Sequence, residues 1–400
     1  MRLRVLCVTP RVPWPLDTGG TIRTHYLIRA LSRAHDVKLV TFASGAADAA
    51  GLAEMGRLGI RCELVPGATR FDRAVQVARG AVGPLPINIR KYQSEALQTR
   101  VRELVRDGVD VVHCDHLHMS PYGLRSGVPF VMDEHNIETL IFERLARDES
   151  EPAWKRLVYL QQAFWLGRLE RRLGASASLV LFCSAIDQGV LTGMLPGATL
   201  SAKVVPNGVD VEYFGEAGPA LPSGLVFTGA MDWTPNVKAA VSFVEEAWPL
   251  VRRQLPGTKL TVVGRNPSAS LRETLCAARG VEVTGTVDDV RPYLRGALAM
   301  IVPIRVGSGT RLKILTAFAA RTPVISTAVG IEGIEAVPGT HYLLAETAEE
   351  FADCALCLQR DPGLRERMVE AAFNFTHERY SWETIGADLA RDYARRFGGG

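Results

Sequence analysis

No stretch of this sequence approaches the roughly 18 uninterrupted apolar residues that a membrane-crossing helix needs, and the opening MRLRVLCVTP has too short an apolar run for a secretory signal. Charge of one sign is lacking too. With 46 basic and 43 acidic residues the formal net charge is +3, which removes the main electrostatic argument for a nucleic-acid partner. Cysteine is sparse and unpatterned: seven residues scattered from Cys7 to Cys357 form no disulfide framework and fit a reducing compartment. The single CxxC, Cys354 and Cys357, has no second pair to complete a metal site and reads as core. Repeats at a solenoid period are also missing. The expectation is a cytoplasmic globular protein, with at most a peripheral contact at the inner face of a membrane.

The chain does have apolar material, 47% of 400 residues, too much for one ordinary core, and a prior of roughly 150 residues per domain suggests two domains. Short runs rich in Val, Leu and Ile alternate with longer segments of helical pattern, the sign of parallel strands with crossover helices. The first half gives strands at residues 3–10, 37–42, 109–115, 129–135, 178–184 and 203–208. GEAGPALPSG, residues 215–224, reads as a linker, and further strands follow at 225–231, 260–264, 281–287, 298–304 and 323–327. The expected class is α/β with two doubly wound parallel sheets, divided into residues 1–210, 211–380 and a closing segment 381–400. Open parallel sheets bind ligands beyond the carboxyl ends of their strands, so residues just after strands are the ones to inspect.

After the first strand, Gly19 and Gly20 lead into a helix, where backbone N–H groups and the helix dipole can receive an anion, with Arg11 and Arg23 flanking. His135 closes the fourth strand in DEHNIE beside Asp133, Glu134 and Asn136, a polar group suited to a site wall. HCDHLH holds His113, His116 and His118, yet no second ligand cluster accompanies them, so no metal is expected. In PIRVGSGTRLKIL, Gly307 and Gly309 run from a strand into a helix with Arg311 and Lys313 at its start. Cations are disfavoured at that helix end unless a ligand needs them, and a departing diphosphate would. Residues 152–173, rich in Trp and Arg, predict an amphipathic helix packed on the core with a charged outer face, a membrane-surface role being the alternative.

Taken in order along the chain, the Gly19–Gly20 loop, VVHCDH, DEHNIE, VVPNGVDVEYF, FTGAMDWTPN, VEVTGTVDDVRPYL, GSGTRLKILTAFA with TPVIST, and YSWETIGADLARDY resemble glycosyltransferases of family 4 with the GT-B fold. The PNGVD, PN and GTRLKIL subset is similar to exopolysaccharide and cell-surface transferases. The resemblance implies two facing Rossmann-like domains, the closing helix returning to the first, and metal-free transfer of a sugar from a nucleotide diphosphate donor with retention of configuration. It sets Gly19 and Gly20 near the donor phosphates and His135 near the transferred sugar, with Arg23, flanking the loop, and Glu134 counted among the substrate-binding residues. Arg311 and Lys313 would serve the diphosphate, and Gly285, Thr286 and Val287 the base. Asn207, Gly229, Ser308, Gly309, Thr310 and Thr316 complete the implied binding residues, with a glycan, a lipid-linked sugar or a small molecule as acceptor. Ser308 and Thr316 stand where the family usually carries two glutamates, the second holding the ribose hydroxyls. Glu332 and Glu335 are the nearest substitutes by sequence, and Ala230 and Met231 occupy the place of a frequent arginine. Two other classes share the layout: a GT-B binding partner that has lost catalysis, and a nucleotide-sugar epimerase.

Overall fold

The computed structural model describes residues 2–45, 48–67, 85–148, 151–197, 199–216, 218, 220, 223–306 and 311–399. Contacts divide the chain into two units, Met1–Pro206 with Trp382–Gly400, and Asn207–Ser381. The first unit holds strands β1 (Arg4–Thr9), β2 (Asp36–Phe42), β3 (Arg61–Val65), β4 (Val111–Asp115), β5 (Phe130–Glu134), β6 (Leu179–Phe182) and β7 (Ala202–Val204). They form one parallel sheet in the order β3-β2-β1-β4-β5-β6-β7. The second holds β8 (Ser223–Thr228), β9 (Leu260–Val263), β10 (Val281–Gly285), β11 (Ala297–Val302), β12 (Val324–Ser326) and β13 (Leu343–Leu344), parallel in the order β10-β9-β8-β11-β12-β13. Strand order reverses between β1 and β4 in one sheet and between β8 and β11 in the other, and those switch points are where doubly wound sheets open a crevice.

Strands buried on both faces read as continuous apolar runs, which is why most were legible. On one face of the first sheet Leu6, Val8, Val112, Cys114 and Met132 form a core; on the other, Val5, Cys7, Val111 and Val131 form a second. That second core is roofed by helix α1 (Gly19–Ala34), through Leu27, Ile28 and Leu31. The Asn207–Phe214 stretch, ahead of the expected linker, is already part of the second unit: Val209 N–H donates to the Tyr380 carbonyl and Arg291 to the Tyr213 carbonyl.

Helices α2 (Glu138–Arg147) and α3 (Ala153–Ser176) follow β5. The charged outer face expected for α3 is not there over its first turns: Trp154, Leu157, Leu160 and Phe164 are exposed. In the second unit α4 (Leu312–Ala319) follows β11. The last helix, α5 (Trp382–Phe397), belongs to the first unit and lies on α1, where Trp382 stacks on Tyr26 at 5.0 Å. Gly386 makes that approach possible, since a Cβ there would sit 2.4 Å from the Ala30 Cβ. Cys357 is exposed and Cys354 half-buried, so of the pair expected to be core only Cys354 is partly so.

Candidate functional sites in the two units

The β1 turn ends at Thr18, whose hydroxyl caps α1 by accepting from Thr21 N–H at 3.2 Å. Gly19 and Gly20 are thus the first residues of the helix. Arg11 crosses this end, donating to the hydroxyls of Thr18 (2.9 Å) and Thr21 and pairing with Asp17 at 3.3 Å. Gly20 allows a close approach: a Cβ there would lie a tight 3.3 Å from His116 Nε2 and in ordinary contact, 3.6 Å, with His135 Nδ1. A hollow of about 180 Å³ opens here, lined by Arg11, Thr18, Gly20, Tyr92, His116 and His118.

His135 sits one residue past β5, buried, with Nε2 2.8 Å from Asp115 Oδ1 and 3.2 Å from Asp133 Oδ2. Burial disfavours its charge, but Asp115 and Asp133 outweigh burial and push its pKa up to about 9. The ring stacks on His116 with centroids 3.6 Å apart. His116 is held at φ 68°, a left-handed value uncommon outside glycine, while its N–H donates to the Asp133 carbonyl at 3.0 Å. Thr24 adds a hydroxyl donated to Asp115 Oδ1 at 2.8 Å. The result is a buried imidazolium fixed beside the α1 terminus.

Arg23 does not flank a ligand. It is fully buried, its guanidinium donating to Asp133 through Nε (3.1 Å) and Nη2 (2.6 Å) and to the Val205 carbonyl through Nη1 (2.7 Å). Its place on the inward face of α1 forces this. Glu134 is likewise drawn inside, because alternation along β5 turns it away from Asp133 and His135. Burial, then Glu170 and Glu138, raise its carboxyl well above the usual range. Glu170, from α3, accepts from Thr139 N–H and Oγ1, and burial still lifts it to about 7. Both corrections move charged residues from a ligand's surface into the protein.

Asp115, His116 and His135 bring possible ligand atoms within 4.8 Å of one another, so these three could hold a cation, a grouping no sequence spacing contained because His135 comes from another strand. As they stand, the atoms face each other directly. His113 takes no part: its Nδ1 lies 2.6 Å from the Tyr393 hydroxyl. His118 stacks on Tyr92 at 4.1 Å, and burial followed by His116 hold its pKa well below the ordinary value.

In the second unit, Gly229 directly follows β8 and Lys313 is the second residue of α4, with Arg311 at its cap position. The Lys313 ammonium donates to Asn236 Oδ1 at 2.9 Å and lies 4.6 Å from the Phe227 ring centre. Burial, and then Arg311, push its pKa down to about 7. Any residue but glycine at 229 would collide here, since a Cβ would be 2.7 Å from Asn236 Nδ2 and 2.8 Å from Lys313 Nζ. Asn236 and Asp115 are site residues that residue-type reasoning passed over; the PN of DWTPN and the final Asp of VVHCD were the available signals. Gly285 ends β10 at φ +80°, a left-handed turn, and puts Thr286 in solvent and Val287 half in it. Asn207 is buried at the start of the unit. Gly307, Ser308, Gly309 and Thr310 lie outside the described residues.

Two family models match the chain: "Glycosyltransferase Family 4" over residues 18–213 and "Glycosyl transferases group 1" over residues 222–361. An uncharacterized 44.6 kDa protein in the cps region of Klebsiella pneumoniae is 21% identical, covering 97% of this chain and 99% of that one. The D-inositol 3-phosphate glycosyltransferase of Actinosynnema mirum is 26% identical over 85% of this chain and 89% of its own. Among solved structures, Anabaena HepE in complex with UDP and glucose superposes with a TM-score of 0.71 at 13% identity, covering 98% of this chain and all (100%) of that one. Sucrose-phosphate synthase from Thermosynechococcus elongatus gives 0.70 at 17% identity, covering 99% and 100%. No helix among the described residues is long and apolar enough to cross a membrane.

Proposed function

The chain belongs to the family 4 glycosyltransferases, and from that premise we propose that it moves a sugar from a nucleoside diphosphate donor to an acceptor hydroxyl with retention of configuration. The observation that carries the donor reading is Lys313. Among the described residues this enclosed ammonium has a neutral amide as its hydrogen-bond partner and the cation Arg311 as its electrostatic neighbour, a setting that favours a ligand bringing negative charge. A diphosphate supplies that charge. In the transfer, the bond from the anomeric carbon to the phosphate oxygen breaks, a bond to the acceptor oxygen forms on the same face, and the acceptor proton passes to the leaving phosphate. Arg311 and Lys313 take up the growing charge, so metal is not needed for that purpose.

Calorimetric titration with uridine and guanosine diphosphates tests the reading, uridine first because HepE was crystallised with UDP. At least one should bind, and Lys313→Ala should abolish the heat; silence with both nucleotides overturns the proposal. The ribose side is weaker. The Thr316 hydroxyl donates back to the Leu312 carbonyl at 3.0 Å, and Glu335 is paired with Arg379 at 2.7 Å. Thr316→Glu should therefore tighten nucleoside diphosphate binding about ten- to a hundred-fold, the worth of a charge-assisted hydrogen bond. Unchanged or weaker binding would remove Thr316 from the nucleotide site.

His135 belongs, in this reading, beside the sugar. Its replacement by alanine should lower kcat about a hundred-fold while leaving nucleoside diphosphate affinity nearly unchanged, because the resemblance puts it beside the sugar and not the base. Equal losses in both measurements would count against that role.

A further inference from the structure

Helix α3 carries apolar side chains on both faces. Inward it buries Ala163, Leu166 and Leu173; outward, Trp154, Leu157, Leu160 and Phe164 are between 54% and 68% exposed. At about 100° per residue these four fall in a sector roughly 120° wide, a continuous apolar stripe. Cations frame it: Arg168 lies 5.8 Å from the Phe164 ring and exposed Arg171 and Arg172 continue the same face, while Lys155, 5.8 Å from the Trp154 ring, is paired with Glu151 at 3.2 Å. The helix has one carboxylate, Glu170, which is buried on Thr139. Its outer surface is apolar, then positive, with no negative charge of its own.

The stripe also has a defined height. Gly167 packs on Thr139, where a Cβ would stand 3.4 Å from the hydroxyl, so α3 is level with the carboxyl ends of the strands at residues 167–170. The residues from Ala153 to that level, on the order of 20 Å of helix at 1.5 Å per residue, precede it in a crossover that runs from the carboxyl end of β5 back to the start of β6. Trp154, Leu157, Leu160 and Phe164 therefore project at the end of the unit where His135 sits.

We propose that this face of α3 docks on an anionic lipid bilayer, with the apolar stripe in the head-group boundary and Arg168, Arg171 and Arg172 at lipid phosphates. A purely apolar protein surface would cover the aromatics but strand three arginines on the same face. An anionic bilayer offers an apolar layer and negative charge along one plane, and Trp and Arg are suited to its boundary. Docking would turn the His135 end toward an acceptor held in the membrane.

Flotation of the full-length protein with vesicles tests this without any donor, so its outcome is separate from that of the transferase reading. The protein should float with equimolar phosphatidylglycerol and phosphatidylcholine, and at least roughly tenfold less with phosphatidylcholine alone or at raised salt. Trp154→Glu with Phe164→Glu should abolish flotation. Replacing Arg168, Arg171 and Arg172 by Gln should weaken it about a hundred-fold, near fivefold per cation. All variants should keep the wild-type melting temperature, because the changed side chains are exposed. Failure of the wild type to float with anionic vesicles, or equal flotation of the variants, overturns the proposal. So does a dimer that the glutamate pair converts to monomer without any vesicle binding, which would make this face an interface between copies.

Discussion

Replacing Arg311 and Lys313 together by alanine is expected to lower glycosyl transfer several-hundred-fold while the second unit stays folded. The diphosphate gains charge as it leaves, and a donor aimed at such charge is worth roughly 3 to 4 kcal/mol of barrier. Arg311 precedes α4 and Lys313 is its second residue, so the roughly 200° that separates residues two apart within a helix does not force them apart here. Folding is spared for a reason visible in Lys313 itself. A lysine whose pKa falls on folding, here to about 7, costs stability below that value and ceases to cost above its unfolded value. Removing it should leave the unliganded melting temperature at neutral pH unchanged or higher. The same shift gives the reaction a signature: binding of a diphosphate should draw a proton onto Lys313, so affinity should fall above pH 7 by up to about tenfold per unit. Calorimetry in buffers of different ionisation enthalpy reads that proton directly. A double variant with near wild-type turnover, or binding without proton uptake at pH 8, would move the phosphate site elsewhere.

Much of this was readable before any coordinates, and what was not has a physical cause. Strands β1, β4, β5, β8 and β11 are buried on both faces and announce themselves as apolar runs. β3 is an edge strand whose sequence RCELV exposes Arg61 and leaves Cys62, Glu63 and Leu64 half-covered, and β13 is two residues long, so neither makes such a run. Glycines after strands were informative because they mark close approaches: a side chain at 229 would strike Asn236 and Lys313, and one at 20 would crowd His116. Charged residues misled where their partners were distant in sequence. Arg23 follows the Gly19–Gly20 turn closely enough to suggest a shared ligand, yet its partner Asp133 is 110 positions away. Pairing of β4 with β5 sets Asp115 directly beside Asp133, two buried carboxylates that must be offset. Arg23 and His135 help to offset them, His116 adds an imidazole nitrogen 3.0 Å from Asp115 Oδ2, and only the register reveals the need.

That need makes Arg23 the residue whose loss should most damage the first unit. Arg23→Leu is expected to destabilise it by about 3 to 5 kcal/mol, the usual cost of removing one partner of a buried pair and leaving the other charge behind. The melting transition should fall by on the order of 10 °C. Arg11 supplies the contrast, since its pair with Asp17 has side chains 42% and 35% exposed, and Arg11→Leu should cost under about 1 kcal/mol. Arg23→Lys should fall between, keeping the charge but losing the fork that reaches both Asp133 oxygens and the Val205 carbonyl. Acidity provides a second check. Burial opposes ionisation of Asp133, but Arg23 and then His135 overcome it and hold the carboxyl well below the usual range. A carboxylate depressed on folding contributes its stability above the unfolded value near pH 4 and loses it as pH falls toward the folded one. The gap between wild type and Arg23→Leu should accordingly be full at pH 7 and shrink in acid, below about pH 4. A gap that stays constant down to pH 3, or an Arg23→Leu protein that melts with the wild type, would mean the pair is not what holds these strand ends together.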